Sequence, residues 1–169
     1  VMLMLIALIF RGVAFEFRFK AESSRRWWDF SFAFGCTLAT LCQGVILGTL
    51  VQGINVDPTI STSWLTPFSA ITALSLLAGY GLLGSCWLIQ KSEGGLARQA
   101  RTIALPLLIG VLVGLAVVSI WMLVKEPSVA ERWLSRPNLY FLMPIPVLTA
   151  IVTIALVKAI KQPEKHHLM

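Results

Sequence analysis

Thr102-Ile-Ala-Leu-Pro-Leu-Leu-Ile-Gly-Val-Leu-Val-Gly-Leu-Ala-Val-Val-Ser-Ile-Trp-Met-Leu-Val124 runs without one charged side chain. Roughly 20 apolar residues, rising about 1.5 Å each in a helix, cross a hydrocarbon layer about 30 Å thick. Hydrocarbon offers no partner to backbone N–H and C=O groups, so a run of this kind must close its hydrogen bonds internally, as a helix does. Comparable runs lie on either side of it. The sequence therefore predicts an all-α chain, a polytopic transmembrane helix bundle of about five spans in a single transmembrane domain over 1–169. The spans fall at about 1–19, 28–54, 66–90, 102–124 and 139–160.

Composition agrees. Hydrophobic residues make up 57% of the chain and charged residues 13%, and the mean hydropathy is +0.80. A water-soluble domain does not need that balance. The net charge of +6 does not point to nucleic acid, because the basic residues form short clusters between apolar runs rather than one stripe on a soluble face. Cys36, Cys42 and Cys86 all lie within spans and have no CxxC or Cys/His spacing, so helix packing is the plain reading for them. There is no P-loop, no nucleophile beside a base and no carboxylate cluster for a divalent metal. Val1 stands where an initiator Met would, and only about ten apolar residues precede Arg11. No signal peptide is recognisable there. The expectation is an internal or truncated portion of a longer subunit, with the first span continuing upstream.

Charge sets the orientation. The clusters Arg18 to Arg26, Lys91 to Arg101 and Lys158 to Lys165 fall on one side of a five-span arrangement; the Asn55 to Ser63 loop with Asp57 and the mixed Lys125 to Arg136 loop fall on the other. The excess of Lys and Arg marks the cytoplasmic side, which places the N-terminus of this stretch outside and its C-terminus inside. Trp27, Trp28 and Trp87 near the inner face and Trp64, Trp121 and Trp133 near the outer fit the preference of indoles for headgroups. Thr66 before Pro67 reads as a helix cap followed by a proline at the first helical position. Gly44-Val-Ile-Leu-Gly48 and Gly110-Val-Leu-Val-Gly114 are pairs of small residues that permit close helix approach.

The most unusual stretch is Arg11-Gly-Val-Ala-Phe-Glu-Phe-Arg18-Phe-Lys20. A charge inside a span costs about 2.5–3.5 kcal/mol on insertion scales and asks for a partner or a use. Arg11 and Arg18 fall on nearly one helix face, while Glu16 faces elsewhere and can reach Lys20 four residues on. The bland reading has Glu16, Arg18 and Lys20 at the inner boundary, snorkelling into headgroups. Arg11 lies deeper and is expected to pair with a group on another helix or subunit. Trp28 and Asp29 open the second span, where a carboxylate suits the helix N-terminus and can cap it. Gln43 is expected to hydrogen-bond between helices, while Gln52 near the outer end is expected to be wet. Haem iron needs axial ligands such as His or Met, and the only histidines are His166 and His167 in the polar tail. Helix packing accounts for the methionines.

The order Arg11-Gly-Val-Ala-Phe-Glu-Phe-Arg18-Phe-Lys20, then Trp28-Asp29, Gly35, Gly44, Gly48 and Gln52-Gly53, resembles the signature of subunit II of cytochrome bd quinol oxidases, and Cys42-Gln43-Gly44 looks like the cyanide-insensitive branch. The resemblance is specific over Val1 to Ile54. It implies a heterodimer in the bacterial inner membrane, with haems b and d in subunit I, quinol oxidised on the outer side and subunit II packed alongside. It leaves open a structural quinone or lipid and small accessory subunits. It also implies that the position of Glu16 lies on a proton route from the cytoplasm toward the haem site, with Lys20 tuning it. No cofactor, catalytic residue or metal is expected on this chain alone. Family members are longer, and their acidic N-terminal motifs have no counterpart here.

Two other classes fit the residues without that resemblance. A transporter or channel also uses charged intramembrane residues and prolines such as Pro106, Pro144 and Pro146, which read equally as kinks near helix starts. A structural scaffold would use the polar groups only to fix packing.

Overall fold

The computed structural model describes residues 1–21, 24–53, 65–92, 94–125 and 144–161. Five helices follow one another: α1 (Met2–Lys20), α2 (Arg25–Gln52), α3 (Pro67–Lys91), α4 (Gly95–Lys125) and α5 (Pro144–Lys161). The described residues contain no strand. The all-α architecture predicted from the apolar runs is the one observed. α2, α3 and α4 are long and apolar enough to cross a membrane. α1 carries Arg11, Glu16 and Arg18 in its apolar run, and α5 is a shorter apolar helix. Outside the described residues lie Ile54, the Asp57 loop, Trp64, the acidic and basic residues from Glu126 to Arg136, Trp133, the expected start of the fifth span at Leu139, and the tail with Lys165, His166 and His167.

Two helices begin earlier than the charge pattern suggests. α2 starts at Arg25 with Ser24 as its N-cap, and Ser24 makes no side-chain capping bond. Asp29 therefore lies beyond the first turn, where the free N–H groups are, and does not cap the helix. α4 starts at Gly95, so Arg98 and Arg101 sit on the helix rather than in the loop. The preceding Gly94 has a φ of 74°, a left-handed conformation that glycine adopts without steric cost. Ala97 and Ala100 are buried, so the first two turns of α4 already have a packed face.

The chain divides into two compact units, Val1–Tyr80 and Gly81–Met169. In the first, α1 and α2 form an antiparallel pair. Its seam is made of small residues, with Ala7 and Ala14 from α1 and Gly35 and Ala39 from α2. A Cβ on Gly35 would lie 3.0 Å from the Ala7 carbonyl oxygen and 3.3 Å from the Arg11 Cβ. Gly44 and Gly48 lie about half a turn around α2 from Gly35, and there α2 meets the first half of α3. A Cβ on Gly44 would fall 2.3 Å from the Ala73 Cα, and one on Gly48 2.6 Å from the Ser69 Cα. The small-residue pair in α2 is thus a place where two backbones come close enough to exclude any side chain.

Thr66 fixes the start of α3 through a reciprocal cap. Its hydroxyl accepts from the Ser69 N–H at 3.2 Å, while the Ser69 Oγ accepts from the Thr66 N–H at 3.0 Å. The Thr66 hydroxyl also donates to Gln52 Oε1 at 2.9 Å, so Gln52 ties the end of α2 to the start of α3. Replacing an N-cap threonine with an isosteric apolar residue typically costs about 1–2 kcal/mol. Thr66→Val is expected to lower the thermal midpoint of the purified protein by several degrees, and Thr66→Ser to restore most of it; equal midpoints for wild type and Thr66→Val would contradict the cap.

In the second unit, Leu82, Ala104, Leu108 and Ile160 form the buried centre, with Cys86, Ile89, Leu156 and Val157 packed against it. Here α3, α4 and α5 meet over side chains of ordinary volume; a Cβ on Gly81 would touch only the Leu107 side chain, at 3.2 Å. Pro106 lies inside α4, where its ring removes the hydrogen bond to the Thr102 carbonyl. Pro144 and Pro146 lie in the first turn of α5, where a missing N–H has no intrahelical partner to lose. Hydroxyls in the helices satisfy themselves: Thr40, Thr72 and Thr149 each donate to the carbonyl four residues back, at 2.8–2.9 Å. Such bonds let a polar side chain sit in an apolar helix without water.

Candidate functional site

The polar residues singled out in the sequence gather on the α1–α2 pair, and the antiparallel arrangement decides which of them meet. Arg18 Nε donates to Asp29 Oδ1. Both side chains are about half exposed, 47% and 51%, and an ion pair that open contributes at most about 1 kcal/mol. It sets the register of the two helices more than their stability. Next to it Phe17 stacks on Trp28, with ring centroids 5.2 Å apart and planes at 22°. One turn further in, Phe15 meets Phe32 at 6.4 Å. Asp29 thus has an ion-pairing role in place of the expected cap, and Trp28 packs within the chain.

Arg11, Glu16 and Lys20 behave differently. All three are exposed on α1, and none has a hydrogen bond or ion pair with another described residue. The Glu16–Lys20 pair that the spacing permits does not form; both side chains are exposed, where such a pair is worth only a few tenths of a kcal/mol. Around them Leu5, Ile9, Phe10, Val13, Phe15, Phe17 and Phe19 are exposed as well. Three charged side chains, two basic and one acidic, thus stand among apolar neighbours on α1 with no partner among the described residues.

Gln43 Oε1 accepts from the Tyr80 hydroxyl, at a long 3.4 Å. This is the interhelical bond expected for Gln43, with a partner the sequence did not single out. One residue and one pairing were thus missed. Tyr80 carries no local signal, being one aromatic in an apolar run. The Arg18–Asp29 pair did carry one, because in two antiparallel helices joined by a short turn, residues equally far from the turn come opposite each other.

The described residues include no histidine. No three His, Cys, Asp or Glu side chains among them come together as a metal site, and Cys36, Cys42 and Cys86 are free thiols of intermediate burial. What this surface presents is one ion pair between the two helices, Arg18–Asp29, and the exposed charges of Arg11, Glu16 and Lys20 on α1.

Comparison with known proteins adds the decisive observation. The family model for cytochrome bd terminal oxidase subunit II matches residues 1–168. The chain belongs to that family. Within it, the chain is 30% identical over 132 residues to the cytochrome bd-I ubiquinol oxidase subunit 2 of Escherichia coli (strain K12), covering 72% of this chain and 35% of that protein. It is 28% identical over 135 residues to the probable cytochrome oxidase subunit 2 of Haemophilus influenzae, covering 73% and 36%. With the cytochrome bd ubiquinol oxidase subunit 2 of Bacillus subtilis (strain 168) it shares 29% over 112 residues, covering 60% and 32%. The chain spans about a third of the length of these cytochrome bd subunit II relatives. Together with its apolar helices, the subunit II match makes it a multi-pass membrane protein.

Proposed function

We propose that the chain is a haem-free portion of the second subunit of a bd-type quinol:oxygen oxidoreductase in the bacterial cytoplasmic membrane. It packs beside a haem-bearing subunit I and supplies protons for oxygen reduction. The match of the subunit II family model to residues 1–168 carries this reading. Two features of the chain support the division of labour. Its only histidines, His166 and His167, follow the last apolar run in a charged stretch, which supports placing a haem with an imidazole ligand outside this portion. And Glu16 has no ion-pair partner within the described residues, which leaves its carboxylate available to take up and release a proton.

In this reading the α1–α2 turn faces the cytoplasm, as the basic cluster Arg18 to Arg26 predicts. Protons enter near Lys20 and reach Glu16, one helical turn further into the membrane, while quinol is oxidised on the opposite side. Haem and bound oxygen in the partner supply the electron chemistry. The residues of this chain hold and pass the proton and exclude bulk water with the aromatic side chains around Glu16.

The test uses the whole protein, purified in detergent from its own membranes with whatever accompanies it. The expected result is a haem-bearing partner, b- and d-type absorbance, and quinol-dependent oxygen uptake that disappears when this subunit is deleted. A haem-free preparation that moves solute across vesicle membranes would replace the oxidase reading with a transporter, and a haem-bearing complex indifferent to the loss of this subunit would leave it a scaffold.

A further inference from the structure

α3 changes its packing neighbours part-way along. In its first half Ser69 and Ala73 lie against Gly48 and Gly44 of α2, backbone to backbone. In its second half Leu82 is buried with Ala104, Leu108 and Ile160 of α4 and α5, and Cys86 and Ile89 pack against that core. The change falls at Gly79-Tyr-Gly-Leu-Leu-Gly-Ser85, and Gly79 is the central residue of the helix Pro67–Lys91.

Three glycines in this stretch are more than its packing asks for. A Cβ on Gly79 or on Gly84 would meet nothing within 4 Å, and one on Gly81 would touch only the Leu107 side chain, at 3.2 Å. Gly44 and Gly48 are different, because there the backbone of α3 leaves no room for a side chain. Nor can one further helix resting on α3 account for all three: at about 100° per residue, Gly81 stands about 160° and Gly84 about 140° around the axis from Gly79.

Ser85 loosens the ladder at the same place. Its side chain is buried, and its hydroxyl donates to the Gly81 carbonyl at 2.5 Å, with the Leu82 carbonyl 3.2 Å away. In a regular helix the Gly81 carbonyl is the acceptor for the Ser85 N–H, so hydroxyl and N–H compete for one oxygen. Serine bonds of this kind weaken and bend helices, and glycine–serine pairs such as Gly84-Ser85 are a known cause of kinks. Thr72 and Ser75 bond back in the same way to the Phe68 and Ile71 carbonyls, but across turns that hold no glycine. Tyr80, between the glycines, is tied to α2 by the long bond to Gln43.

We propose that Gly79–Ser85 is a flexure in α3, a joint at which the helix bends without unfolding while Leu82, Cys86 and Ile89 stay in their core. The backbone bonds that cross it run from the N–H groups of Leu83, Gly84 and Ser85 to the carbonyls of Gly79, Tyr80 and Gly81. Each of the three has a glycine as donor or acceptor, and the last shares its acceptor with a hydroxyl. The flexure follows from α3 itself and does not depend on the oxidase reading.

The experiment follows backbone amide exchange by mass spectrometry on the full-length subunit in its purified complex. Helices fray from their ends, so a regular span is slowest to exchange at its centre. The expected result is the reverse: after correction for intrinsic rates, the amides of Leu83, Gly84 and Ser85 exchange about tenfold or more faster than those of residues 72–78. The double variant Gly79→Ala with Gly84→Ala, and separately Ser85→Ala, are each expected to slow those amides severalfold, and the double variant to keep or raise the thermal midpoint. Exchange at 83–85 in the wild type as slow as at 72–78 overturns the proposal, as does exchange that either variant leaves unchanged. A lowered midpoint in the double variant also overturns it, because the glycines would then be making room for a neighbouring helix.

Discussion

Gly44→Leu is expected to prevent α2 from seating on α3 and to cost the protein most of its stable accumulation in the membrane. Even the first atom of a new side chain, at Cβ, would lie 2.3 Å from the Ala73 Cα and 2.9 Å from its Cβ. A backbone atom cannot rotate out of the way as a side-chain tip can. The helices would have to separate, with loss of the Gly48–Ser69 approach four residues along and strain on the Gln52–Thr66 hydrogen bond at the end of the same interface. Overpacking a well-filled core costs about 1–3 kcal/mol and more when backbone must move, against a total stability of about 5–15 kcal/mol for a typical folded domain. Gly44→Ala already introduces the offending atom and is expected to lower the thermal midpoint in detergent clearly. Gly79→Ala in α3 has nothing within 4 Å of the new Cβ and should leave the midpoint unchanged or raise it slightly, since alanine favours helix over glycine by about 1 kcal/mol. Matching midpoints for Gly44→Ala and Gly79→Ala would show that the two backbones do not approach as described.

Glu16→Gln in the complete complex is expected to slow quinol-dependent oxygen reduction by about tenfold to a hundredfold with little change in assembly. Glutamine keeps the size and hydrogen-bonding reach of glutamate but cannot bind and release a proton, and positioned proton transfer groups commonly contribute about 10²–10⁴ in rate. Because Glu16 forms no ion pair with a described residue, the substitution breaks no contact within the α1–α2 pair. Haem content and the midpoint of thermal unfolding should therefore stay at wild-type values while proton uptake from the cytoplasmic side falls. Glu16→Asp should recover part of the rate. Undiminished oxygen reduction and proton uptake in Glu16→Gln would remove Glu16 from the proton route. A loss of haem or of subunit association would instead mark it as a structural contact.

The legibility of the site differs residue by residue. Thr66 before Pro67 was readable because a cap and its proline are a local signal, decided within one turn of helix. The closeness of Gly44 and Gly48 to another helix was only permitted by the sequence, since glycine pairs also occur in helices that face lipid. Asp29 shows the opposite case. Its type suits an N-cap, but the helix begins at Arg25, and a carboxylate past the first turn has no free N–H to accept from; the guanidinium of Arg18 across the pair wins. The Glu16–Lys20 spacing likewise allowed a bond that did not form, because a single exposed pair on a helix is worth only about 0.2–0.5 kcal/mol and does not fix two long side chains.

By itself the sequence determined the all-α membrane architecture, because the need to satisfy every backbone group in hydrocarbon leaves a long uncharged run no alternative to a helix. The resemblance to a subunit II family rested on the order of charges and glycines in the first third. The tertiary structure alone decided which of those charges are used within the chain. Ion pairing and close backbone approach depend on two segments meeting at one height and one rotation, which neither segment encodes alone; so Arg18 is paired with Asp29, while Arg11 and Glu16 are exposed with no partner among the described residues.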